Sequence, residues 1–263
     1  MQQPSHSHTF PLDPWRLREA GLDTANNFLN ETLFALGNGY IGLRGCHEEG
    51  YSGADGKSLD GTYLNGFYES EPIVYPEAAY GLAKTNQFML NVPNAKGIQL
   101  WIGDERFDLS QGTLAAYERT LDFRTGVLTR SLEWTSPGGK RIAMASRRVV
   151  AFGNKHLFAI DYQFTPLNFA GPVRLVSQVD GAVKNQEAGD DPRVGSAVSG
   201  PALQLVRIDQ DDSFSSITQR THNSGFTLVS AIDTSVECGG MQMRAASHQQ
   251  GQLASQSFEF EAK

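Results

Sequence analysis

Four adjacent pairs of acidic residues are the first groups in this sequence that could do chemistry. They are Glu48-Glu49, Asp104-Glu105, Asp190-Asp191 and Asp211-Asp212. Two carboxyl groups at a fixed separation serve as acid and base in the hydrolysis of sugar linkages. All four pairs lie in segments with the composition of turns or loops, and the side chains of chain neighbours point apart. We therefore expect solvated turn acids rather than a catalytic dyad.

Histidine and cysteine give little sign of a metal site. No H-x-x-x-H or H-E-x-x-H spacing occurs among the histidines, and the two cysteines, Cys46 and Cys238, lie outside any C-x-x-C motif. We expect reduced thiols, with a long-range disulfide left open. His156 stands at the head of a predicted strand, where a structural histidine is expected. His47 follows a glycine-rich segment and has the better claim to a functional role.

The glycine-rich segment spans residues 30–45 and reads NETLFALGNGYIGLRG. Glycine and asparagine alternate there with large apolar residues, which indicates tight backbone packed against a neighbour. Gly37, Gly39 and Gly42 match the G-x-G-x-x-G spacing of a dinucleotide loop. That motif needs a strand before it and a helix after it, and neither is readable here. No G-x-S-x-G motif occurs, so a serine nucleophile elbow is not predicted.

Aromatic side chains offer a second kind of chemistry, because their rings stack on the apolar faces of sugars. The candidates are Trp15, Trp101, Trp134, Tyr63, Tyr68, Tyr75 and Tyr80. In a strand-rich domain most such rings belong to the core. The four tyrosines lie in a predicted loop region and are therefore the better sugar-binding candidates.

The elements that must position these residues are mainly strands. After residue 95, apolar and polar residues alternate with a period of two, and Gly, Pro, Asn or Asp separate the runs. The predicted strands are 98–102, 106–109, the run through Leu128, Leu132 and Trp134, 140–150, 156–164, 173–179, 202–209, 214–221, 226–233 and 256–262. No long amphipathic helix lies between them, so parallel βαβ architecture is excluded and a large antiparallel sandwich is predicted.

The first hundred residues are less regular. A short helical turn is expected at 13–20, where Pro14 would occupy the first helical position after Asp13. A long irregular region is expected at 69–94. We predict a loosely ordered terminus over 1–14 and a single domain over 15–263.

The bulk composition argues against several function classes. The formal net charge is −7, and no basic run exceeds Arg147-Arg148, whereas nucleic acids and anionic membranes require clustered Lys and Arg. No apolar segment approaches the ~20 residues of a membrane span, and the polar residues 1–11 are unlike a signal peptide. We therefore expect a cytoplasmic protein that binds neither nucleic acid nor membrane.

Six motifs in order resemble those of glycoside hydrolase family 65, which contains the inverting phosphorylases of maltose, trehalose, kojibiose and nigerose. They are ETLFALGNGYIGLRG at 31–45, GTYLNGFY at 61–68, RTLDFRTGVLTR at 119–130, RRVV at 147–150 followed by KHL at 155–157, TPLN at 165–168, and VDGAVKN at 179–185. The resemblance runs from about Trp15 to the end of the chain.

The resemblance implies an all-β fold, a large antiparallel β super-sandwich with a few short helices, similar to that of galactose mutarotase. In the family, the general acid and the phosphate-binding residues lie in a following (α/α)₆ barrel, whose amphipathic helices are not found in this sequence. The resemblance therefore implies a non-catalytic N-terminal domain with no catalytic residue, metal or cofactor of its own. Inorganic phosphate would be the co-substrate of the parent enzyme, bound outside this chain.

In the family this domain packs on the barrel, takes part in homodimer contacts and lends loops to the active-site rim. The resemblance thus gives six candidates for a substrate rim: Asn38, Tyr40, Arg44, His47, Tyr63 and Asn65. The alternative is that Asn38 and the glycines only shape the backbone and that Arg44 pairs with an internal acid. Arg119, Asp122 and Arg124 are expected to form a buried ion-pair network in a hairpin.

Two other functions remain open. A stand-alone carbohydrate-binding protein would bind α-glucosides through Tyr63 and Tyr68. A mutarotase-like enzyme, which interconverts sugar anomers, would need a histidine acid and a glutamate base in one cleft. His156 and His222 are available for that role, but no matching glutamate is evident.

Overall fold

The computed structural model describes residues 10–54, 57–73, 80–185 and 203–263. Strands dominate these residues, which confirms the predicted all-β class. The elements in chain order are β1 Arg16–Ala20, α1 Asn27–Leu33, β2 Leu36–Gly37, β3 Ile41–Leu43, β4 Thr62–Leu64, β5 Tyr68–Pro72, β6 Thr85–Met89, β7 Asn94–Ile102, β8 Glu105–Arg106, β9 Thr113–Asp122, β10 Val127–Thr135, β11 Arg141–Val150, β12 Phe158–Pro166, β13 Gly171–Asp180, β14 Leu203–Asp211, β15 Phe214–Thr221, β16 Thr227–Asp233, β17 Glu237–Cys238, β18 Met241–Gln242, β19 Ala245–Gln250 and β20 Leu253–Ala262.

Two five-stranded antiparallel sheets form the body of the domain. The first has the order β1-β9-β10-β11-β12, and the second has the order β19-β20-β13-β7-β8. Between them lies a core that includes Trp134 and Ile142 from the first sheet and Leu100 and Ile102 from the second. The ring of Phe107 meets that of Trp134 edge-on at 5.1 Å. Burial of an apolar side chain of this size stabilises the fold by about 1.5–3 kcal/mol.

Strand β10 shows why the sequence pattern was readable. Leu128, Leu132 and Trp134 share its buried face, as predicted, and Arg130 is buried on the same face, while the alternate residues Thr129, Ser131 and Glu133 are more exposed. The turn predicted after this strand is also present, with the N–H of Gly139 donating to the carbonyl of Ser136 at 2.9 Å. Strict alternation therefore fixed both the strand and the face it buries.

Two three-stranded sheets and the two-stranded sheets β5-β6 and β17-β18 make up the rest of the described strands. The sheet β14-β15-β16 packs against the second sheet through Ile217, Ile232, Val179 and Ala254. The sheet β2-β3-β4, together with α1, covers one end of the first sheet. There Phe34, Ile41 and Leu64 share a core cluster with Leu121 of β9 and Val150 of β11. The glycine-rich segment is thus packed directly on the first sheet.

The helical turn predicted at 13–20 is wrong. Residues 16–20 form β1, which pairs with β9 in the register Arg16↔Asp122 to Ala20↔Glu118. Pairing along β9 gives the backbone its hydrogen bonds, and this tertiary contact outweighs a weak local helix preference. The one helix of the described residues, α1, was not predicted.

The region 69–94 is also more regular than expected. Strands β5 and β6 pair as an antiparallel hairpin from Tyr68↔Met89 to Pro72↔Thr85. Residues 74–79, including the predicted sugar-binding candidate Tyr75, lie outside the described residues, as do residues 1–9 of the predicted loose terminus. Phe10, the first described residue, packs against the core cluster that contains Phe34.

Candidate functional site

The turn between β2 and β3 is built around Asn38. Its Oδ1 accepts the N–H groups of Tyr40 and Ile41 at 3.0 and 2.8 Å, which is how an asparagine side chain closes a turn. Gly39 follows with a φ of +86°, in the left-handed region that favours glycine. The Nδ2 of Asn38 donates to the carbonyl of Ala151 at 2.7 Å. The turn is therefore tied to the loop after β11.

Asn65 belongs to the same surface. Its backbone N–H donates to the carbonyl of Tyr40 at 2.8 Å, and its Nδ2 donates to the carbonyl of Gly39 at 3.1 Å. Asn38, Tyr40 and Asn65 are half of the six predicted rim candidates, and the structure brings these three together. The side chain of Asn65 is exposed, whereas those of Asn38 and Tyr40 are half-buried.

Two residues of the loop after β11, Lys155 and His156, also lie against this turn. The sequence pattern did not indicate this contact. The ring of His156 meets the ring of Tyr40 edge-on at 4.7 Å, and Lys155 Nζ lies 4.8 Å from the centre of the same ring. We call Asn38, Tyr40, Asn65, Lys155 and His156 the turn cluster. It presents an aromatic ring beside a cation and polar groups, a combination that can contact sugar hydroxyls and apolar sugar faces.

Arg44 lies elsewhere, beside α1, and Tyr63 lies close to Arg44. The Arg44 guanidinium donates to the carbonyl of Phe28 at 2.8 Å and lies 3.4 Å from the carboxylate of Glu31. Arg44 therefore pairs with an internal acid, as the structural alternative predicted. Burial raises the pKa of the nearby Tyr63 phenol, and Arg44 offsets only part of this rise. Tyr63 is thus protonated at neutral pH.

The structure places His47 in the interior rather than on the domain surface. Its Nε2 lies 2.9 Å from the hydroxyl of Tyr117. Burial, reinforced by the charges of Arg130, Arg119 and Arg148, holds the pKa of His47 well below its ordinary value. The imidazole is therefore neutral at physiological pH.

The expectation that Glu48 and Glu49 are solvated turn acids is wrong. Both are buried, and both pair with Arg130, at 2.8 Å for Glu48 and 2.6 Å for Glu49. Arg148 also donates to Glu48. Burial alone would raise the pKa of Glu48, but Arg148 and Arg130 outweigh it and lower that pKa. Tyr162 donates to Glu49 at 2.7 Å. Each of these carboxylates has at least two buried partners, which suits a structural role better than acid catalysis.

The ion-pair network expected among Arg119, Asp122 and Arg124 is also wrong. Arg119 is buried and pairs with Glu19 at 2.8 Å. Asp122 instead caps the β9–β10 turn, accepting the N–H of Arg124 at 2.9 Å, while the Arg124 guanidinium stacks 4.6 Å from the ring of Trp15. Positions 119 and 122 differ by an odd number, so they fall on opposite faces of the strand.

The remaining acid pairs and tyrosines lie apart from the turn cluster. Asp211 and Asp212 are exposed at a turn, as predicted, and Asp190-Asp191 lies outside the described residues. Tyr68 packs edge-on against Phe226 at 5.1 Å. Tyr80 is fully exposed.

The described residues offer little to a metal or a membrane. Within them no group of three or more His, Cys, Asp or Glu side chains could hold a metal ion. Cys46 and Cys238 are both free thiols, and burial raises the pKa of Cys46 to about 12. Across the part of the chain that the structure describes, we find no helix with the length and apolar character needed to cross a membrane.

Comparison with known proteins extends this description. Residues 17–263 match the model of the glycosyl hydrolase family 65 N-terminal domain. The chain is 44% identical over 224 residues to the α,α-trehalose phosphorylase of Thermoanaerobacter brockii, covering 85% of this chain and 29% of that protein. It is 31% identical over 216 residues to the kojibiose phosphorylase of Halothermothrix orenii, covering 82% of this chain and 24% of that protein.

A solved structure of a kojibiose phosphorylase-like protein from the human microbiome has the same fold. It superposes with a TM-score of 0.81 at 22% identity, covering 97% of this chain and 31% of that one. The chain thus spans less than a third of the length of the relatives named here. By its match over almost the whole length to the family model, the chain belongs to glycosyl hydrolase family 65, as an N-terminal domain of that family.

Proposed function

We propose that this chain is the non-catalytic N-terminal domain of an inverting disaccharide phosphorylase. The observation that carries the proposal is the pairing of its buried carboxylates. Glu48 and Glu49 are each held by Arg130 within 2.8 Å, so neither is free to protonate a leaving group. The match to trehalose and kojibiose phosphorylases over about a quarter of their length supports a parent protein with further domains.

The parent reaction would be phosphorolysis of an α-linked glucoside. One carboxylic acid protonates the leaving oxygen while inorganic phosphate attacks the opposite face of the sugar, in place of the water of an inverting hydrolase. The products are β-glucose 1-phosphate and the released sugar. We place the acid and the phosphate site in a following (α/α)₆ barrel, so this chain supplies no step of the chemistry. Phosphate is a co-substrate of the parent, and we propose no other cofactor.

The contribution of this domain would be positional. The turn cluster carries exposed apolar neighbours, since Phe152 is 77% exposed and Leu157 is 51% exposed in the loop that holds Lys155 and His156. Side chains of this size, exposed together, favour a contact with another protein surface. We propose that this end of the domain packs on the barrel or on a second subunit and brings the turn cluster to the active-site rim. The two free thiols favour a cytoplasmic parent.

Activity assays test the proposal directly. The purified chain, shown to be folded by a cooperative thermal transition, is mixed with phosphate and with trehalose, kojibiose, maltose or nigerose in turn. We expect no glucose 1-phosphate from the chain alone and turnover of one of these sugars by the full-length parent. Turnover by the chain alone would overturn the proposal.

The rim contact has its own test in the full-length parent. Tyr40→Ala removes the ring at the centre of the turn cluster, and Tyr80→Ala removes a fully exposed ring as the matched control. We expect Tyr40→Ala to lower kcat/KM at least about tenfold, the order of effect when a positioning contact is lost, at a temperature where both variants stay folded. Equal kcat/KM values for the two variants would show that the turn cluster does not act at the rim.

The mutarotase-like alternative gains one observation but lacks a usable base. The structure brings Glu69 next to His222, but the contact is from the backbone N–H of His222, which donates to the Glu69 carboxylate at 2.7 Å. That carboxylate is buried and also accepts the N–H groups of Asn223 and Ser224, so its oxygens are occupied. Polarimetry of fresh α-glucose with the chain distinguishes this alternative, and calorimetry with α-disaccharides distinguishes stand-alone sugar binding.

A further inference from the structure

A small cavity lies between the end of the glycine-rich segment and the first sheet. It has about 10 Å³ of room for the centre of a water molecule. Glu48 lines it from the residues just after the glycine-rich segment. Arg130 lines it from β10, and Ser146 and Arg148 line it from β11. A cavity of roughly 10–15 Å³ by this measure accommodates one water.

Two buried hydrogen-bond donors at this cavity have no protein partner among the described residues. They are Nη1 of Arg130 and Nε of Arg148. Other nitrogens of these guanidinium groups do have partners: Arg130 Nη2 is bound to Glu48 and Glu49, and Arg148 Nη2 is bound to the carbonyl of Cys46 at 2.8 Å. A buried donor without a partner destabilises the folded state, and almost every such group in a folded protein has a partner.

The charges around the cavity decide between a neutral and an anionic occupant. The three arginines at its wall, Arg119, Arg130 and Arg148, are matched by three buried carboxylates. Arg119 pairs with Glu19, Arg130 pairs with Glu49 and Glu48, and Arg148 pairs with Glu48. The arginines at the cavity wall are therefore already paired with carboxylates, and the cavity has room only for a water-sized occupant.

We propose that this cavity holds one ordered water molecule. The water oxygen accepts hydrogen bonds from Arg130 Nη1 and Arg148 Nε. Its two O–H groups donate hydrogen bonds to oxygen atoms that line the cavity. Oxygen atoms of Glu48 and Ser146 are available as these acceptors. Four polar partners is within the range that buried waters use. The water joins β10 and β11 to the segment after the glycine motif, so the buried ion pairs act as one connected unit.

A crystal structure of the protein tests the assignment. We expect a density peak at hydrogen-bonding distance, about 2.7–3.2 Å, from both nitrogens, and no anomalous signal there in crystals grown in sodium bromide. A bromide peak in the cavity would show an anion instead of a water and overturn the proposal. A cavity without density would overturn it as well.

A pair of substitutions tests it in solution. Ser146→Val extends a buried side chain into the cavity and displaces a water, while Ser131→Val makes the same change at an exposed site on the neighbouring strand β10. Loss of a water that satisfies two donors should lower the Tm of Ser146→Val by about 4 °C or more relative to Ser131→Val. In a dry cavity the added methyl groups would instead improve packing, and an equal or higher Tm would contradict the proposal.

Discussion

The guanidinium of Arg130 and the carboxylate of Glu49 form a buried ion pair in which one nitrogen, Nη2, lies 2.6 and 2.8 Å from the two carboxylate oxygens. The two side chains are only 3% and 2% exposed. The pair joins β10 to the chain just after the glycine-rich segment, across 81 residues of sequence. The glycine-rich segment is therefore anchored by charge at one end, in addition to the apolar contacts of Phe34 and Ile41.

Glu49→Gln should destabilise the domain strongly. The change keeps the shape of the side chain but leaves the buried Arg130 with Glu48 as its remaining counter-charge. Removing one partner of a buried pair costs about 3 kcal/mol or more. Urea unfolding at neutral pH, analysed with a common slope, measures the loss in the free energy of unfolding.

The control for this prediction is Glu133→Gln. Glu133 pairs with Arg141 at 3.4 Å, but both side chains are close to half exposed. Exposed pairs contribute little, so the free energy of unfolding should change by no more than about 0.5 kcal/mol. Similar losses in the two variants would show that burial does not set the strength of the Glu49 pair.

Gly45→Ala should also destabilise the domain, for a steric reason. A Cβ atom at this position would lie 2.7 Å from Phe34 Cβ and 2.8 Å from the Phe34 carbonyl oxygen. Much of the obstruction is backbone, which cannot rotate away, so we expect a loss of about 2–3 kcal/mol. Thermal or urea unfolding measures it.

Gly153→Ala is the matched control for Gly45→Ala. Nothing lies within 4 Å of a Cβ at Gly153, and its backbone is outside the left-handed region. Alanine there reduces the freedom of the unfolded chain and should stabilise the protein by about 0.4–1 kcal/mol. If both variants have the same stability as the unsubstituted domain, the close approach at Gly45 is not a constraint on the fold.

The sequence predicted most of the long strands because their pattern is local. In β10 and β11, apolar and polar residues alternate along each strand, and the alternation alone indicates a half-buried strand. Strand β1 has no such pattern, and what makes it a strand is its pairing with β9. Its conformation depends on a partner about a hundred residues away, which no local window reveals.

The site was predicted less well than the fold, for the same reason. The burial of Glu48 depends on Arg148, which lies 100 residues further along the chain. Locally, Glu48-Glu49 followed by Gly50 has only the composition of a turn. The contact of Tyr40 with His156 likewise joins two distant loops. Asn38 could be singled out because its role is local, an asparagine before a glycine in a turn.

His47 predicts a pH dependence of stability. In the unfolded chain its pKa is about 6.5, whereas in the folded domain burial and the nearby arginines hold the pKa well below that value. Below pH 6.5 the unfolded state therefore binds more protons than the folded state. Stability contributed by the neutral imidazole is complete above pH 6.5. It falls by up to about 1.4 kcal/mol per pH unit as the pH drops towards the folded pKa.

Urea unfolding at pH 7.5, 6.5 and 5.5 tests the role of His47, with those pH values spanning about one unit on each side of its ordinary pKa. His47→Gln should lose this part of the pH dependence, because glutamine does not titrate. His248→Gln removes an exposed histidine and should keep the full pH dependence of the unsubstituted domain. If the stability of His47→Gln follows the same pH profile as that of the unsubstituted domain, His47 is not the group that titrates.

Glu69 predicts a second pH dependence, in a more acidic range. Its carboxylate accepts the N–H groups of Ser70, His222, Asn223 and Ser224, which ties the β5–β6 hairpin to the β15–β16 turn. Burial would raise the pKa of Glu69, but these four donors outweigh it and lower the pKa below 4.5. The stabilisation is therefore complete above pH 4.5 and is lost as the pH falls through the folded pKa.

Glu69→Gln should lose this stabilisation at every pH. One carboxylate oxygen becomes an NH₂ group that faces backbone donors, so at pH 7 we expect a loss of about 1.5–3 kcal/mol, the range for hydrogen bonds to a charged group. Hydrogen exchange should also speed up in residues 68–72 and 85–89, because the hairpin loses its tie. Glu259→Gln, at an exposed position on β20, should leave both measurements unchanged. Unchanged exchange in the hairpin of Glu69→Gln would show that other contacts hold it in place.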